Sequence, residues 1–169
     1  MRLYGVVGWQ NSGKTTLVEK LVAELVARGF SVSTVKHAHH AFDLDRPGKD
    51  SFRHREAGAR EVLLTSRHRW ALMHELRGDE EPPLVALLER LAPVDLVLVE
   101  GYKRDAHPKI EAHRAATGAP ILAREDPTVR AVATNDPVGA LPVPVLPLDD
   151  AAGLADFILA DLGLTRPRR

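Results

Sequence analysis

Apolar residues recur with two different periods along this chain, and the switches between them lay out its elements. Residues 3–7 form a short apolar run that reads as a buried strand. Leu17, Val18, Leu21, Val22, Leu25 and Val26 then repeat at helical spacing. The pattern predicts an amphipathic helix over residues 14–28, with Lys20, Glu24 and Arg28 as i,i+4 pairs on its wet side and Gly29 as the stop. Residues 30–36 read as the next strand, Val32 and Val35 being its apolar members. A strand, helix and strand of this length make a βαβ unit, so the two strands are expected to be parallel.

Further along, Asp50 or Ser51 caps a short helix over 52–57 that Gly58 ends. Residues 61–65 and 69–76 read as an antiparallel hairpin across Ser66-Arg67-His68, with Trp70 and Met73 as core or interface residues. Pro82-Pro83 opens a helix that runs to Leu91 and stops at Pro93. Residues 94–100 form a buried parallel strand ending in Glu100. Residues 108–114 alternate like a strand with one wet face, which leaves Lys109, Glu111 and Arg114 either solvated or free to reach a ligand. Residues 120–123 and 129–133 read as short strands, 142–147 as an extended piece, 150–162 as a closing helix and 165–169 as a frayed basic tail.

Between the first strand and the first helix stands Gly8-Trp9-Gln10-Asn11-Ser12-Gly13-Lys14-Thr15, a G-x-x-x-x-G-K-T loop. Strand, loop and helix follow in the order that phosphate binding requires. Gly8 and Gly13 let the backbone turn and approach phosphate oxygens. Amides of Gln10 through Thr16, at a helix N-terminus, then point at the anion. Lys14 reaches the β- and γ-phosphates, the Thr15 hydroxyl ligates Mg²⁺, and Thr16 bonds the α-phosphate. Glu100, at the end of a buried strand, has the position of the carboxylate that holds the metal's hydration shell; Asp95, at that strand's start, is on the wrong edge and reads as structural. The expected architecture is therefore α/β: the three-layer phosphate-loop NTPase fold, with a mainly parallel central sheet and added antiparallel strands, in one domain over 1–169. The hairpin of residues 61–76 serves as an added edge or a dimerisation element.

Composition narrows the classes. The chain has 169 residues, 44% of them hydrophobic, enough for a sizeable core. Its 23 basic and 23 acidic residues cancel, so bulk charge attracts it neither to nucleic acid nor to an anionic membrane. Cysteine is absent, which excludes disulfides and thiolate metal sites. No apolar run has membrane-spanning length, so a soluble, cytoplasmic protein is expected.

Two stretches stay open on their residues alone. Residues 37–50 leave the second strand at the ligand-binding edge. His37, His39 and His40 invite a metal reading that lacks a clear fourth ligand, whereas a segment closing over the γ-phosphate explains the loop better. Asp45 or Asp50 then orients water or Mg²⁺ ligands, or else is a solvated loop charge or helix cap. Asn135-Asp136, after the strand over 129–133, either presents a carboxylate to guanine or forms a plain turn before Pro137.

Several of these stretches together resemble one family, molybdopterin-guanine dinucleotide biosynthesis protein B, often called MobB. The matching residues are Gly8 with Asn11 to Leu17, Lys36-His37 with His39-His40, Asp45 to Ser51 with Ala57-Gly58-Ala59, Arg69 to Leu72, Glu100-Gly101-Tyr102-Lys103 and Pro108-Lys109-Ile110-Glu111. They span about two thirds of the chain. The resemblance implies a GTP-binding protein with slow hydrolysis, GTP and Mg²⁺ as its ligands. It also implies an adapter that supplies or positions GTP or molybdopterin beside the guanylyltransferase joining GMP to molybdopterin, in homodimers joined through their sheets. Two other classes fit the loop: a small-molecule or nucleotide kinase, and a GTPase that hands over a metal through its histidines.

Overall fold

The computed structural model describes residues 1–38 and 45–165. The order of elements is β1 (Arg2–Val7), α1 (Lys14–Ala27), β2 (Val32–Lys36), α2 (Asp50–Glu56), β3 (Glu61–Thr65), β4 (Trp70–His74), α3 (Leu84–Leu88), β5 (Leu96–Glu100), β6 (Lys109–Ala112), β7 (Val129–Ala133), β8 (Val145–Leu146) and α4 (Ala151–Asp161). Short 3₁₀ turns occupy Ala115–Thr117 and Leu122–Arg124. The chain divides into two compact units, one of residues 1–37 with 91–169, the other of residues 38–90.

The first unit is built on a six-stranded sheet in the order β2-β5-β1-β6-β7-β8, with every neighbouring pair parallel. β1 and β2 are parallel, as the βαβ pattern predicts, but β5 lies between them. Alternating strand residues divide between the two faces. Tyr4, Val6, Leu96, Leu98, Ile110, Ala112, Ala131 and Ala133 meet Leu17, Leu21 and Leu25 of α1 and Leu154 and Ile158 of α4. Each fully buried leucine or isoleucine in this layer contributes about 1.5–3 kcal/mol from removal of apolar surface from water. The opposite face carries Val7, Val129 and Val132, packed with Ala123.

Polar ties fix the two helices. The Tyr4 hydroxyl donates to Asp161 of α4 at 3.1 Å, and burial with this carboxylate beside it drives the phenol pKa upward. Arg28 donates to Glu24 at 2.8 Å, as the i,i+4 spacing predicts, and also pairs with Asp156. Lys20, by contrast, turns from Glu24 to Asp149, 3.0 Å away, because α4 is approached through a loop that brings Asp149 to the exposed side of α1. Asp95 is structural, as expected: its carboxylate accepts from the Ser31 amide at 2.8 Å and hydroxyl at 2.6 Å, closing the start of β5 onto the turn before β2.

Three expectations change. β6 has no wet face; all four of its residues are buried, because the core covers Ile110 and Ala112 while the segments carrying Lys103, Leu122, Ala123 and Thr128 cover Lys109 and Glu111. Residues 120–123 are not a strand, since Leu122–Arg124 form a 3₁₀ turn. The hairpin forms as expected, with Leu63 opposite Leu72 and Thr65 opposite Trp70, but β3 and β4 make their own two-stranded sheet rather than part of the central one. Trp70 is 67% exposed on it, alongside Leu63 and Leu64.

The second unit relies on arginines. Arg55 pairs with Glu75 at 3.0 Å and stacks 5.4 Å from the Phe52 ring centre. Arg77 donates to the carbonyls of Arg55 and Ala59, at 2.6 and 3.1 Å. These bonds tie α2 to the hairpin through groups that would otherwise need water.

Candidate functional site

The glycine-rich loop leaves β1 at the C-terminal edge of the parallel sheet and enters α1 directly. Gly8 has φ 143° and Gly13 φ 95°, and Asn11 is left-handed at φ 63°. A Cβ on Gly8 would lie 2.3 Å from the Ala112 carbonyl oxygen, so glycine is a steric requirement there. α1 begins with no side-chain cap and no acidic residue in its first turn. Its first amides therefore keep their hydrogen-bonding capacity for an anion. The Ser12 hydroxyl is buried in the loop with no hydrogen-bond partner, whereas Gln10, Asn11 and Thr16 are exposed. A loop and helix N-terminus of this shape fit a phosphate chain, with the residues from Gln10 to Thr16 as the ones that would line it.

Lys14 is half-buried rather than free in solvent. Its ammonium donates to the Trp9 carbonyl at 2.7 Å, folding back over the loop. Burial lowers its pKa, Glu100 opposes that, and the neighbouring charges of Lys103 and Lys36 reinforce it. A cation short of counter-charge and solvent has most to gain from a polyanion.

Glu100 stands beside the loop because of sheet register. β5 lies between β1 and β2, and Glu100 is in register with Val6 on one side and Lys36 on the other. The Thr15 hydroxyl donates to Glu100 Oε1 at 2.8 Å. Lys36 Nζ lies 3.2 Å from that same oxygen and donates to Thr15 Oγ1 at 3.3 Å. Hydroxyl and carboxylate thus already converge on one cation, the Lys36 ammonium.

Three further cations stand beside the loop. Lys36 ends β2. Lys103 sits 4.0 Å over the Trp9 ring, whose indole N–H donates to the Pro120 carbonyl at 2.8 Å. Arg114, left open between solvent and ligand, places Nε 3.3 Å from where a Gly13 Cβ would stand. Each stands at or shortly after a strand's C-terminal end. Lys14, Lys36, Lys103 and Arg114 surround the loop on a chain whose net charge is +0. The field is local, where a phosphate chain would need it.

Lys109 and Glu111 take neither of the roles the alternation left open. Both are fully buried. Lys109 Nζ donates to the Lys103 carbonyl at 3.2 Å and the Thr128 hydroxyl at 2.7 Å. Glu111 accepts from the amides of Leu122 and Ala123, both at 2.9 Å. One buried charge fixes the segment carrying Lys103; the other fixes the turn following Pro120. Both segments contact Trp9.

The remaining candidates make other contacts. Asn135 donates to Asp149 at 2.6 Å and accepts from the Leu148 amide at 2.9 Å, while Asp136 accepts from the Ala115 amide at 2.7 Å. These bonds stabilise the turn and cap the first 3₁₀ segment. In the second unit, Asp45 accepts from the Ser51 hydroxyl at 2.8 Å and lies 3.5 Å from Arg55 Nε. Asp50 is exposed in the first turn of α2, not its cap. The His37 ring packs against Tyr102 with centroids 4.8 Å apart. His39 and His40 fall outside the described residues, as do 41–44 of the proposed closing segment and 166–169 of the basic tail. Among the described residues no group of three or more histidines and carboxylates could hold a metal, and no helix is long and apolar enough to cross a membrane.

Comparison with known proteins agrees with this fold. A sequence model of the family described as Molybdopterin guanine dinucleotide synthesis protein B, MobB, matches residues 3–135. The chain is 42% identical over 160 residues to the molybdopterin-guanine dinucleotide biosynthesis adapter protein of Escherichia coli, covering 93% of this chain and 91% of that one. It is 43% identical over 156 residues to the Haemophilus influenzae protein of the same name, covering 92% and 86%. Among solved structures, a MobB protein homolog from Bacillus stearothermophilus aligns with TM-score 0.70 and 30% identity over 98% of this chain and 100% of that one. Bacillus subtilis MobB aligns with TM-score 0.74 and 25% identity over 96% and 98%. The phosphate-loop architecture, the site at its parallel edge and these relatives lead to one assignment: the chain belongs to the MobB family.

Proposed function

We propose that this protein binds GTP with Mg²⁺ and acts as an adapter in the formation of molybdopterin guanine dinucleotide, working beside the guanylyltransferase that attaches GMP to molybdopterin. The observation that carries the nucleotide part is the convergence of Thr15 and Glu100 on a cation beside an uncapped phosphate loop. The adapter role is taken from the names of the relatives.

The phosphate chain lies along the amides from Gln10 to Thr16, and Lys14 exchanges the Trp9 carbonyl for phosphate oxygens. Magnesium suits the donor set, since hydroxyl and carboxylate oxygens are hard ligands and the Lys36 ammonium already stands in for a cation there. Thr15 and Glu100 would hold the metal, which supplies charge neutralisation between the phosphates. Arg114 and Lys103 add fixed positive charge at the rim. Asp45 and Asp50 remain candidates for ordering water, with slow hydrolysis as the consequence. Asn135 and Asp136 are the candidates for reading guanine; their present bonds to Asp149, Leu148 and Ala115 favour the turn role. The exposed apolar hairpin supports a homodimer interface.

The test pairs binding with partnership. Calorimetric titration with GTP and ATP should give Mg²⁺-dependent binding that Lys14→Ala removes without changing the far-ultraviolet circular dichroism. Native mass spectrometry with the guanylyltransferase should show a complex. Phosphate transfer to a small acceptor, at stoichiometric yield, would instead establish a kinase.

A further inference from the structure

Lys36 does more than add positive charge near the phosphate loop, since its ammonium contacts both Glu100 and Thr15. It lies opposite Glu100 in the β2–β5 register, one strand removed from the phosphate loop. Its ammonium touches both groups assigned to the metal, 3.2 Å from Glu100 Oε1 and 3.3 Å from Thr15 Oγ1. Thr15 and Glu100 are themselves bonded at 2.8 Å, so three atoms close a small triangle of one carboxylate, one hydroxyl and one cation.

Two cations cannot share that triangle. A divalent ion taking Glu100 and Thr15 as partners meets a positive charge at contact distance from the same oxygens, and like charges so close repel strongly. The Lys36 side chain is 56% exposed, so its ammonium leaves into solvent without opening the core, whereas the Glu100 side chain is only 10% exposed and stays. An ion pair with one exposed member is weak enough to be displaced. A lysine suits the task because its compact charge rides on a flexible stem.

We propose that Lys36 is a tethered counter-ion for the metal position: it holds Thr15 and Glu100 in place when no metal is bound, yields to Mg²⁺, and thereby sets how strongly nucleotide affinity depends on the metal. This rests on the reading of the loop as a nucleotide site. Without Mg²⁺, the ammonium supplies positive charge that the phosphates would otherwise lack. With Mg²⁺, it is a competitor. Removing it therefore weakens binding in chelator but not in Mg²⁺, whereas loss of a plain surface ion pair or a metal-independent phosphate contact acts alike in both.

The experiment titrates GTP by calorimetry into wild type, Lys36→Met, Lys36→Arg and Lys14→Ala, each in chelator and in saturating Mg²⁺, with circular dichroism as the folding control. Lys36→Met should bind GTP about fivefold more weakly in chelator and no more weakly in Mg²⁺, so the ratio of the two affinities rises about fivefold or more. Lys36→Arg, which keeps the charge, should stay within about twofold of the wild-type ratio. Equal weakening of Lys36→Met in both buffers, or no change in either, overturns the proposal. Lys14→Ala separates the two levels. If it retains wild-type affinity the nucleotide reading fails, and the Lys36 role with it. If it loses GTP while Lys36→Met keeps the wild-type ratio, only the Lys36 role fails.

Discussion

Glu111 offers the sharpest test of how the site is supported. Its carboxylate is fully buried and each oxygen accepts one backbone amide, from Leu122 and from Ala123, both at 2.9 Å. Glu111→Gln preserves shape and one acceptor but turns an NH₂ group toward an amide that needs an acceptor. One hydrogen bond is lost and one buried donor is orphaned, a cost of about 2–3 kcal/mol. Glu111→Ala orphans both amides and leaves a void, about 3–5 kcal/mol. Domains of this kind have roughly 5–15 kcal/mol in total, so the glutamine variant should fold and the alanine variant be marginal. With a urea dependence of about 2 kcal/mol per molar, Glu111→Gln should lower the midpoint by about 1 M. Circular dichroism reports global unfolding, and Trp9 fluorescence in a Trp70→Phe background reports the loop, because the Trp9 indole is bonded to Pro120 in the segment that Glu111 anchors. Burial raises the Glu111 pKa, against the pull of its two amides. The folded chain thus holds this proton more tightly than the unfolded one, and stability from this group falls as pH rises from the ordinary carboxylate value through the folded pKa. Glutamine has no such proton, so the gap between wild type and variant should be wider in acid than at neutral pH. A Glu111→Gln midpoint within about 0.2 M of wild type would refute the account of Glu111 as an obligatory amide acceptor.

Gly8→Ala should abolish nucleotide binding and destabilise the fold, because the new methyl would meet the Ala112 carbonyl oxygen at 2.3 Å and the Ser12 hydroxyl at 2.5 Å; an intact binding isotherm would contradict this. Glu100→Gln should weaken GTP binding chiefly when Mg²⁺ is present, and equal loss in chelator would assign Glu100 another role. Burial depresses the His107 pKa below its ordinary 6.5, with the Lys109 charge assisting and Asp105 and Asp126 opposing. The unfolded chain then takes up the proton first, so stability is full above the ordinary value and declines as pH falls toward the folded pKa. His107→Gln should flatten that part of a denaturation-midpoint profile between about pH 7 and pH 5.

The local chemistry of the phosphate loop was legible from residues 8–16 alone, because glycine placement, helical periodicity and a lysine-threonine pair are all short-range properties. So were the parallel strands, the hairpin pairing and the structural role of Asp95. The alternation of Pro108-Lys109-Ile110-Glu111 was also read correctly as a strand, yet its meaning was inverted. Polar residues on alternate positions indicate a wet face when a strand lies at an edge. In the centre of a parallel sheet they become buried charges that hold neighbouring loops. Nothing within the strand distinguishes the two cases; the distant segments that pack over that face, carrying Lys103, Leu122, Ala123 and Thr128, do. Lys36 and Glu100 show the same limit, being 64 positions apart in sequence and opposite each other in register. Strand order is fixed by non-local pairing, and that order sets the Lys36 ammonium beside Glu100 and Thr15. The sequence by itself determined the form of the loop and its place between the first strand and the first helix. The tertiary structure decided which distant charges surround it, since ammonium and carboxylate act on one another through space at about 3–4 Å, whatever the length of chain between them.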